Sequence, residues 1–173
     1  MSLRGFLIAS GLILSPLTTI GFQSAAFADT DNTHIQIGGT VATIISINAT
    51  PTSDASNLPL SQTGEQIVKI ADLKITTNSP AGVRITVKSL YNGTLLNDVN
   101  DYINYGIQIT DDSTTPDSGS FKTLEEDVSI SKTTGFNSET GEKQLDLYLR
   151  LNNLSIPKQG NYNDTITLTV ADN

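Results

Sequence analysis

The 173-residue sequence contains no cysteine, no tryptophan and only one histidine. Without cysteine the chain has no thiol nucleophile, no disulfide and no thiolate metal site. The single histidine, His34, excludes metal sites that need several histidines, and its place near the start of the chain makes it a poor base for a Ser-His-Asp triad. We therefore expect stability to come from packing and backbone pairing, and we expect no cofactor or metal.

Basic residues are also scarce, with 10 Lys+Arg against 18 Asp+Glu and a net charge of −8. They form no cluster that could follow a phosphate backbone, so we expect no nucleic acid as partner. The one dense acidic cluster is Glu125-Glu126-Asp127. Neighbouring residues of a strand point to opposite faces, so this cluster cannot supply the opposed carboxylate pair of a glycosidase. These absences argue against an enzyme.

The first 28 residues have the three parts of a secretory signal. Residues 1–4 carry the positive charge of Arg4, residues 5–22 are apolar, and Ala26-Phe27-Ala28 is a small-x-small cleavage site. Ser15-Pro16 interrupts the apolar stretch and no stop-transfer charges follow, so we expect no stable membrane insertion. The sequence thus predicts export, with cleavage after Ala28 and one domain in the remaining chain.

Apolar and polar residues alternate with period two along most of that remaining chain, and no stretch of ten residues has a convincing helical period. Turn signals such as Asn92-Gly93 separate the alternating segments. The spacing predicts an all-β, Ig-like Greek-key β-sandwich of about seven strands. Its expected strands start near Thr40 and then cover residues 67–75, 83–87, 102–110, 128–130, 144–151 and 166–170. The turn at residues 78–82 predicts a hairpin between the second and third of these.

Two features leave a binding function open. Residues 111–120 form a polar, acidic loop that lacks the full spacing of an EF-hand; we expect it to be solvated, and whether it binds a cation stays open. Tyr102 and Tyr148 lie on otherwise polar faces, where exposed rings could stack on a sugar, whereas Tyr105 is expected in the core. A monomeric exported module that binds a carbohydrate or a protein is therefore the alternative function.

The N-terminal part of the mature chain alternates for an unusual length. Apolar or small residues occupy every odd position from Ile35 to Ile47, a span of about 43 Å and twice that of an ordinary strand. Either the chain bends at Gly38-Gly39 or the first half has a separate role. An extended segment with unpaired backbone groups is a template for another sheet, the mode called β-strand addition. We therefore divide the mature chain into an extension, residues 29–39, and a sandwich domain, residues 40–173.

The signal, the mature length, this extension and the closing segment from Gly160 to Val170 together resemble chaperone–usher fimbrial subunits. The nearest members are the cysteine-free colonization-factor class and the spore-coat-U-like pilins. That family places a glycine fourteen residues from the C-terminus, where this chain has Gly160, and usually a penultimate aromatic residue, where this chain has Asp172. In the family a periplasmic chaperone lends a strand to an incomplete sandwich, and an outer-membrane usher exchanges it for the next subunit's N-terminal extension.

The resemblance implies a structural subunit that polymerises with like subunits into a cell-surface fimbria used for adhesion or biofilm formation, with a chaperone and an usher as partners. It implies a donor strand formed by Ile35, Ile37, Gly39 and Val41. It also implies an acceptor groove with a final strand that includes Gly160, Tyr162, Ile166, Leu168 and Val170.

Overall fold

The computed structural model describes residues 33–173. The predicted signal over residues 1–28 and the first residues of the predicted extension lie outside the described residues. A compact unit spans Thr40–Asn173, and residues 33–39 belong to a separate N-terminal unit. Those seven residues form no helix or strand.

Nine strands and two short 3₁₀ turns, Ser53–Ser56 and Ser118–Ser120, make up the regular structure of residues 33–173, which contain no α-helix. The strands are β1 (Ile45–Pro51), β2 (Gly64–Thr77), β3 (Val83–Ser89), β4 (Thr94–Leu96), β5 (Tyr102–Asp111), β6 (Lys122–Thr123), β7 (Val128–Lys132), β8 (Glu142–Asn153) and β9 (Ile166–Asp172). No helix in this part of the chain has the length and apolar character needed to cross a membrane.

The strands form two antiparallel sheets. The larger sheet has the order β1-β2-β8-β5-β4, with β6 paired to β5 as a side branch, and the smaller sheet has the order β7-β3-β9. The sheets pack face to face as a sandwich, so the predicted all-β, Ig-like fold class is confirmed.

The core lies between the sheets and follows the period-two pattern. Val83, Ile85 and Val87 of β3 are completely buried while Arg84 between them is exposed. On the larger sheet the corresponding side chains are the four alternating leucines of β8, from Leu145 to Leu151. Burying one such side chain contributes about 1.5–3 kcal/mol, which is why the alternation determines which face of each strand points inward.

The predicted hairpin across residues 78–82 is wrong. β2 and β3 lie in different sheets. Both edges of β2 are taken by β1 and β8, and both edges of β3 by β7 and β9, so neither strand has an edge left for the other. The connecting turn is held tightly at Gly82, which has a φ of +77°, and a Cβ there would lie 2.2 Å from the backbone oxygen of Lys132 at the end of β7. Strand β3 therefore pairs with β7 and β9.

The first strand also differs from its prediction. It starts at Ile45 rather than near Thr40, because its partner β2 ends at Thr77, the residue that pairs with Ile45. It continues to Pro51, past the end of the recognised alternation at Ile47, since β2 extends far enough in the other direction to pair with these residues. The strand count exceeds the predicted seven because the short strands β4 and β6 carry too little alternation to be recognised from sequence.

Candidate functional site: an open groove between two edge strands

Each sheet ends in an edge strand on the same side of the sandwich. Strand β1 is paired along its whole length with β2, and β9 with β3. Within residues 33–173 neither strand has a partner on its other edge. A row of free backbone N–H and C=O groups is therefore available on both.

A cavity of about 320 Å³ opens between these two edges, and we call it the groove. Ala49 and Pro51 of β1 form one wall, and Ile166 and Leu168 of β9 form the other. The base consists of core residues and of the segment that follows β1, namely Ala55, Leu58, Ile70, Ala71, Leu95, Tyr105, Leu147 and Leu149. The groove is thus a shallow apolar gap between the two edge strands, and the core side chains at its base stay buried.

The inward side chains beside the groove are less buried than those elsewhere in the sandwich. Ile166, Leu168 and Val170 of β9 pack against the core but are only partly buried. Ile45 and Ile47 of β1 are in the same position. By contrast, the inward side chains of β3, the strand that pairs with β9 in the middle of the smaller sheet, are buried completely. The inward side chains of both edge strands are therefore covered less completely than those of the strands in the middle of the sheets.

A hydrogen-bond network closes one end of the groove. The Tyr105 hydroxyl donates to Asp164 Oδ2 at 2.6 Å, and the Ser89 hydroxyl donates to the same oxygen at 2.5 Å. Asp164 Oδ1 accepts from the backbone N–H groups of Tyr91 and Thr165. Burial, together with the hydrogen bond to Asp164, raises the pKa of the Tyr105 hydroxyl. The network ties the start of β9 to the ends of β3 and β5, so that this wall of the groove keeps its position.

The residues predicted as a donor strand are fully open to solvent. The exposed fractions of Ile35, Ile37 and Val41 are 83%, 90% and 85%. A Cβ placed on Gly39 would meet no atom within 4 Å. Three large aliphatic side chains in one short segment therefore have no apolar surroundings, an arrangement that soluble proteins usually avoid unless the segment binds something.

The residues predicted for the groove divide into two groups. Ile166 and Leu168 line it, and Val170 follows them on the same face of β9. Gly160 and Tyr162 do not belong to the final strand, which begins only at Ile166. Both lie in the preceding loop.

That loop has contacts of its own beside β4, where Asn163 forms an isolated antiparallel bridge with Leu96. A Cβ on Gly160 would come within 2.8 Å of Asn97 Nδ2. The Tyr162 hydroxyl donates to Asp101 Oδ2 at 2.7 Å. Loss of solvation, together with this bond, raises the pKa of Tyr162, and the bond lowers the pKa of Asp101. These contacts fasten the loop to the segment between β4 and β5.

Several residues of the groove were not found from sequence. Ala49 was not assigned, Pro51 fell in the polar, turn-rich stretch of residues 50–57, and Asp164 was treated only as part of the closing segment. The polar stretch after Thr50 obscured the strand. The one usable signal was that the alternation from Ile35 to Ile47 continues through Ala49.

The structure also places the other residues that the sequence singled out. Glu125, Glu126 and Asp127 are exposed. Tyr102 is 62% exposed, as its pattern predicts, and Tyr148 is partly buried. Within residues 33–173 no group of three or more His, Asp or Glu side chains is arranged to hold a metal ion.

The acidic loop is tied down by lysines and by its own backbone. The two carboxylate oxygens of Asp111 form ion pairs with Lys132 Nζ at 2.9 Å and Lys143 Nζ at 3.0 Å. These contacts lower the pKa of the carboxyl group. Ser113 N donates to the buried Asp146 at 3.0 Å. The carboxylate of Asp111 is therefore already paired with two cations of the chain itself.

Comparison with known proteins finds a weak likeness among solved structures and none by sequence. No family model matches the sequence, and no curated protein matches it. Among solved structures, the chain is similar to part of the CsuC–CsuE chaperone–tip adhesion subunit pre-assembly complex from the archaic chaperone–usher Csu pili of Acinetobacter baumannii, at 19% identity and a TM-score of 0.40. The match covers 76% of this chain and 40% of the other. A TM-score below 0.5 does not by itself establish a shared fold.

Proposed function

We propose that this chain is an exported structural subunit, without catalytic activity, that polymerises by donor-strand exchange into a cell-surface fibre. The observation that carries the proposal is the open groove between β1 and β9, an apolar gap with unpaired backbone on both sides. An extended peptide segment is the ligand that fits such a gap, because it supplies both the backbone partners and alternating apolar side chains.

The chain contains a segment of that kind. Ile35, Ile37 and Val41 alternate with His34, Gln36 and Thr40, so all three aliphatic side chains lie on one side of an extended strand. Gly39 lies on the same side and suits a shallow place in the groove. Inserted into the groove of a second copy, the three side chains would leave water and cover the partly buried residues of β9.

The energy of such a joint is large enough for a durable fibre. Burying three to four aliphatic side chains contributes on the order of 5–8 kcal/mol before the cost of ordering the segment. Backbone pairing along two edges adds to this value. Homopolymerisation of this kind, helped by a periplasmic chaperone and an outer-membrane usher, is the assembly that the resemblance to fimbrial subunits implies, and a role in adhesion or biofilm formation follows from it.

Gel electrophoresis in detergent, with and without boiling, tests the proposal. The exported protein is compared with a variant that lacks residues 33–39. We expect a ladder of oligomers that boiling dissolves and that the deletion abolishes. A single monomer band from both proteins, with equal melting temperatures, would contradict the proposal.

A specific observation supports the alternative of a binding module. Tyr102, Leu154 and Ile156 are exposed at 62%, 93% and 73%, and all three line a second cavity of about 310 Å³ at the end of β5. An exposed ring next to aliphatic side chains is a surface for a carbohydrate or a protein. This function predicts a monomer and a binding activity that depends on Tyr102.

A further inference from the structure

The backbone just before β1 is fastened by one side chain, Asn78. Its Nδ2 donates to the Ala42 backbone oxygen at 2.8 Å, and its Oδ1 accepts from the Ile44 N–H at 2.8 Å. The Asn78 backbone N–H also donates to the Ile44 backbone oxygen at 3.2 Å. We call these three bonds the Asn78 clamp.

The clamp continues the ladder between β1 and β2 beyond its last regular pair. Ile45 pairs with Thr77, and Ile44 and Asn78 form the next pair in that register. The backbone of β2 cannot go further, because the chain turns at Ser79 and Pro80 has no N–H group. The side-chain amide of Asn78 takes the place of the missing peptide group and binds both Ala42 and Ile44. Residues 42–44 are thereby held along the edge of β2.

This matters because the chain could otherwise fill its own groove. A three-residue turn at residues 42–44 would fold the preceding segment back along the free edge of β1, which is a common hairpin geometry. In that register Val41 would face Ile45, Ile37 would face Ala49, and Ile35 would face Pro51. Directly opposed residues point to the same face of a sheet, so all three aliphatic side chains would enter the groove of their own chain.

A turn further upstream does not have this result. A reversal at Gly38-Gly39 would place Ile37 beside Thr40 and Ile35 beside Ala42. The aliphatic side chains would then stop short of Ala49 and Pro51, which form the wall of the groove. Self-filling thus depends on freeing residues 42–44.

We infer that Asn78 is a positioning residue that prevents the extension from folding back into its own groove and so keeps both available for a second copy. This inference rests on the proposed function. Its chemistry is that of a single amide that donates and accepts at once, so neither alanine nor aspartate can replace it. Aspartate still accepts from Ile44 N but places a negative oxygen against the Ala42 carbonyl.

The absence of cysteine allows a direct test in the full exported chain. In the fold-back register Gln36 faces Thr50, and both side chains are exposed, so Gln36→Cys with Thr50→Cys reports the hairpin as a disulfide. The pair is introduced into the wild type, Asn78→Ala, Asn78→Asp and the control Asn152→Ala, an exposed asparagine of β8. After mild oxidation with a diazene reagent, the boiled, unreduced proteins are separated on a gel, where an internal disulfide runs as a fast monomer and a disulfide between chains runs as a dimer.

We expect the ratio of internally crosslinked to open chain to rise about tenfold in Asn78→Ala, which loses two exposed hydrogen bonds, and by a smaller factor in Asn78→Asp. The oligomer ladder should fall in the same order, and Asn152→Ala should match the wild type. Equal internal crosslinking in all four proteins, with melting temperatures that show each to be folded, overturns the inference. A wild type without a ladder, but with more internal crosslinking in Asn78→Ala, would contradict the proposed function and leave the clamp intact.

Discussion

Truncating one exposed side chain should break the fibre without affecting the domain. Ile37 is 90% exposed, so Ile37→Ala removes no contact from the sandwich and should change its free energy of unfolding by less than about 0.5 kcal/mol. In the proposed joint between subunits the same side chain would be buried. Losing three carbon atoms there costs about 2.4 kcal/mol at about 0.8 kcal/mol per carbon, and a residual cavity adds to this. At 1.4 kcal/mol per tenfold, the equilibrium between joined and free subunits should shift by about 50-fold or more.

The measurement is the fraction of protein in unboiled oligomers over a series of denaturant concentrations, together with thermal melting of the monomer. Gln36→Ala is the matched control, because Gln36 points to the opposite side of the extension and is expected to stay in water. The reasoning is refuted when both variants weaken the oligomers equally, or when Ile37→Ala lowers the melting temperature of the monomer.

Three further perturbations test the walls of the groove and the ion pairs. Leu168→Ala, on the partly buried wall, should destabilise the monomer by about 2 kcal/mol and the joined subunit by about 3 kcal/mol, measured by denaturation of each form; equal losses would show that nothing covers this wall. Tyr105→Phe should cost about 1.5–3 kcal/mol at neutral pH, because it removes a hydrogen bond to the Asp164 carboxylate. The raised pKa of Tyr105 means that the folded state retains its proton longer, so wild-type stability should fall as the pH rises above about 10, a loss that the phenylalanine variant lacks. Asp111→Asn should cost less than about 1 kcal/mol above pH 5, since the carboxylate is half exposed and screened. Because Lys132 and a second lysine lower the pKa of Asp111, this difference should vanish as the pH falls through that pKa, whereas a constant difference would contradict the ion pair.

Much of the fold was predictable because a strand with one buried face has apolar and polar residues that alternate along the sequence. Residues 83–87, 144–151 and 166–170 were placed on strands from alternation alone, and the structure has β3, β8 and β9 there. Tyr105 was expected in the core and is 3% exposed. The strand ends were predicted less accurately, because an end depends on where the partner strand stops, as at Ile45. The local alternation of residues carries no information on the position of the partner.

The groove was only half predictable. Ile166 and Leu168 could be placed on one face of the final strand, since period two requires it. That the same strand forms a free edge opposite β1 could not be read from the residues, because any core strand alternates in the same way. The hydrogen bonds of Asp164 and of Asn78 join residues that are distant in sequence, so no local motif predicts them.

By itself the sequence determined the class of protein: an acidic, cysteine-free chain whose alternating segments must bury one face and whose N-terminal segment alternates beyond the length of an ordinary strand. Those properties depend on side-chain chemistry and on the period of an extended backbone, which are local. Only the tertiary structure decided which strands pair, that β1 and β9 leave a gap between them, and that Asn78 holds residues 42–44. The physical reason is that pairing and closure depend on which chain segments compete for the same edge, and this competition is settled only when all of them are packed around one core.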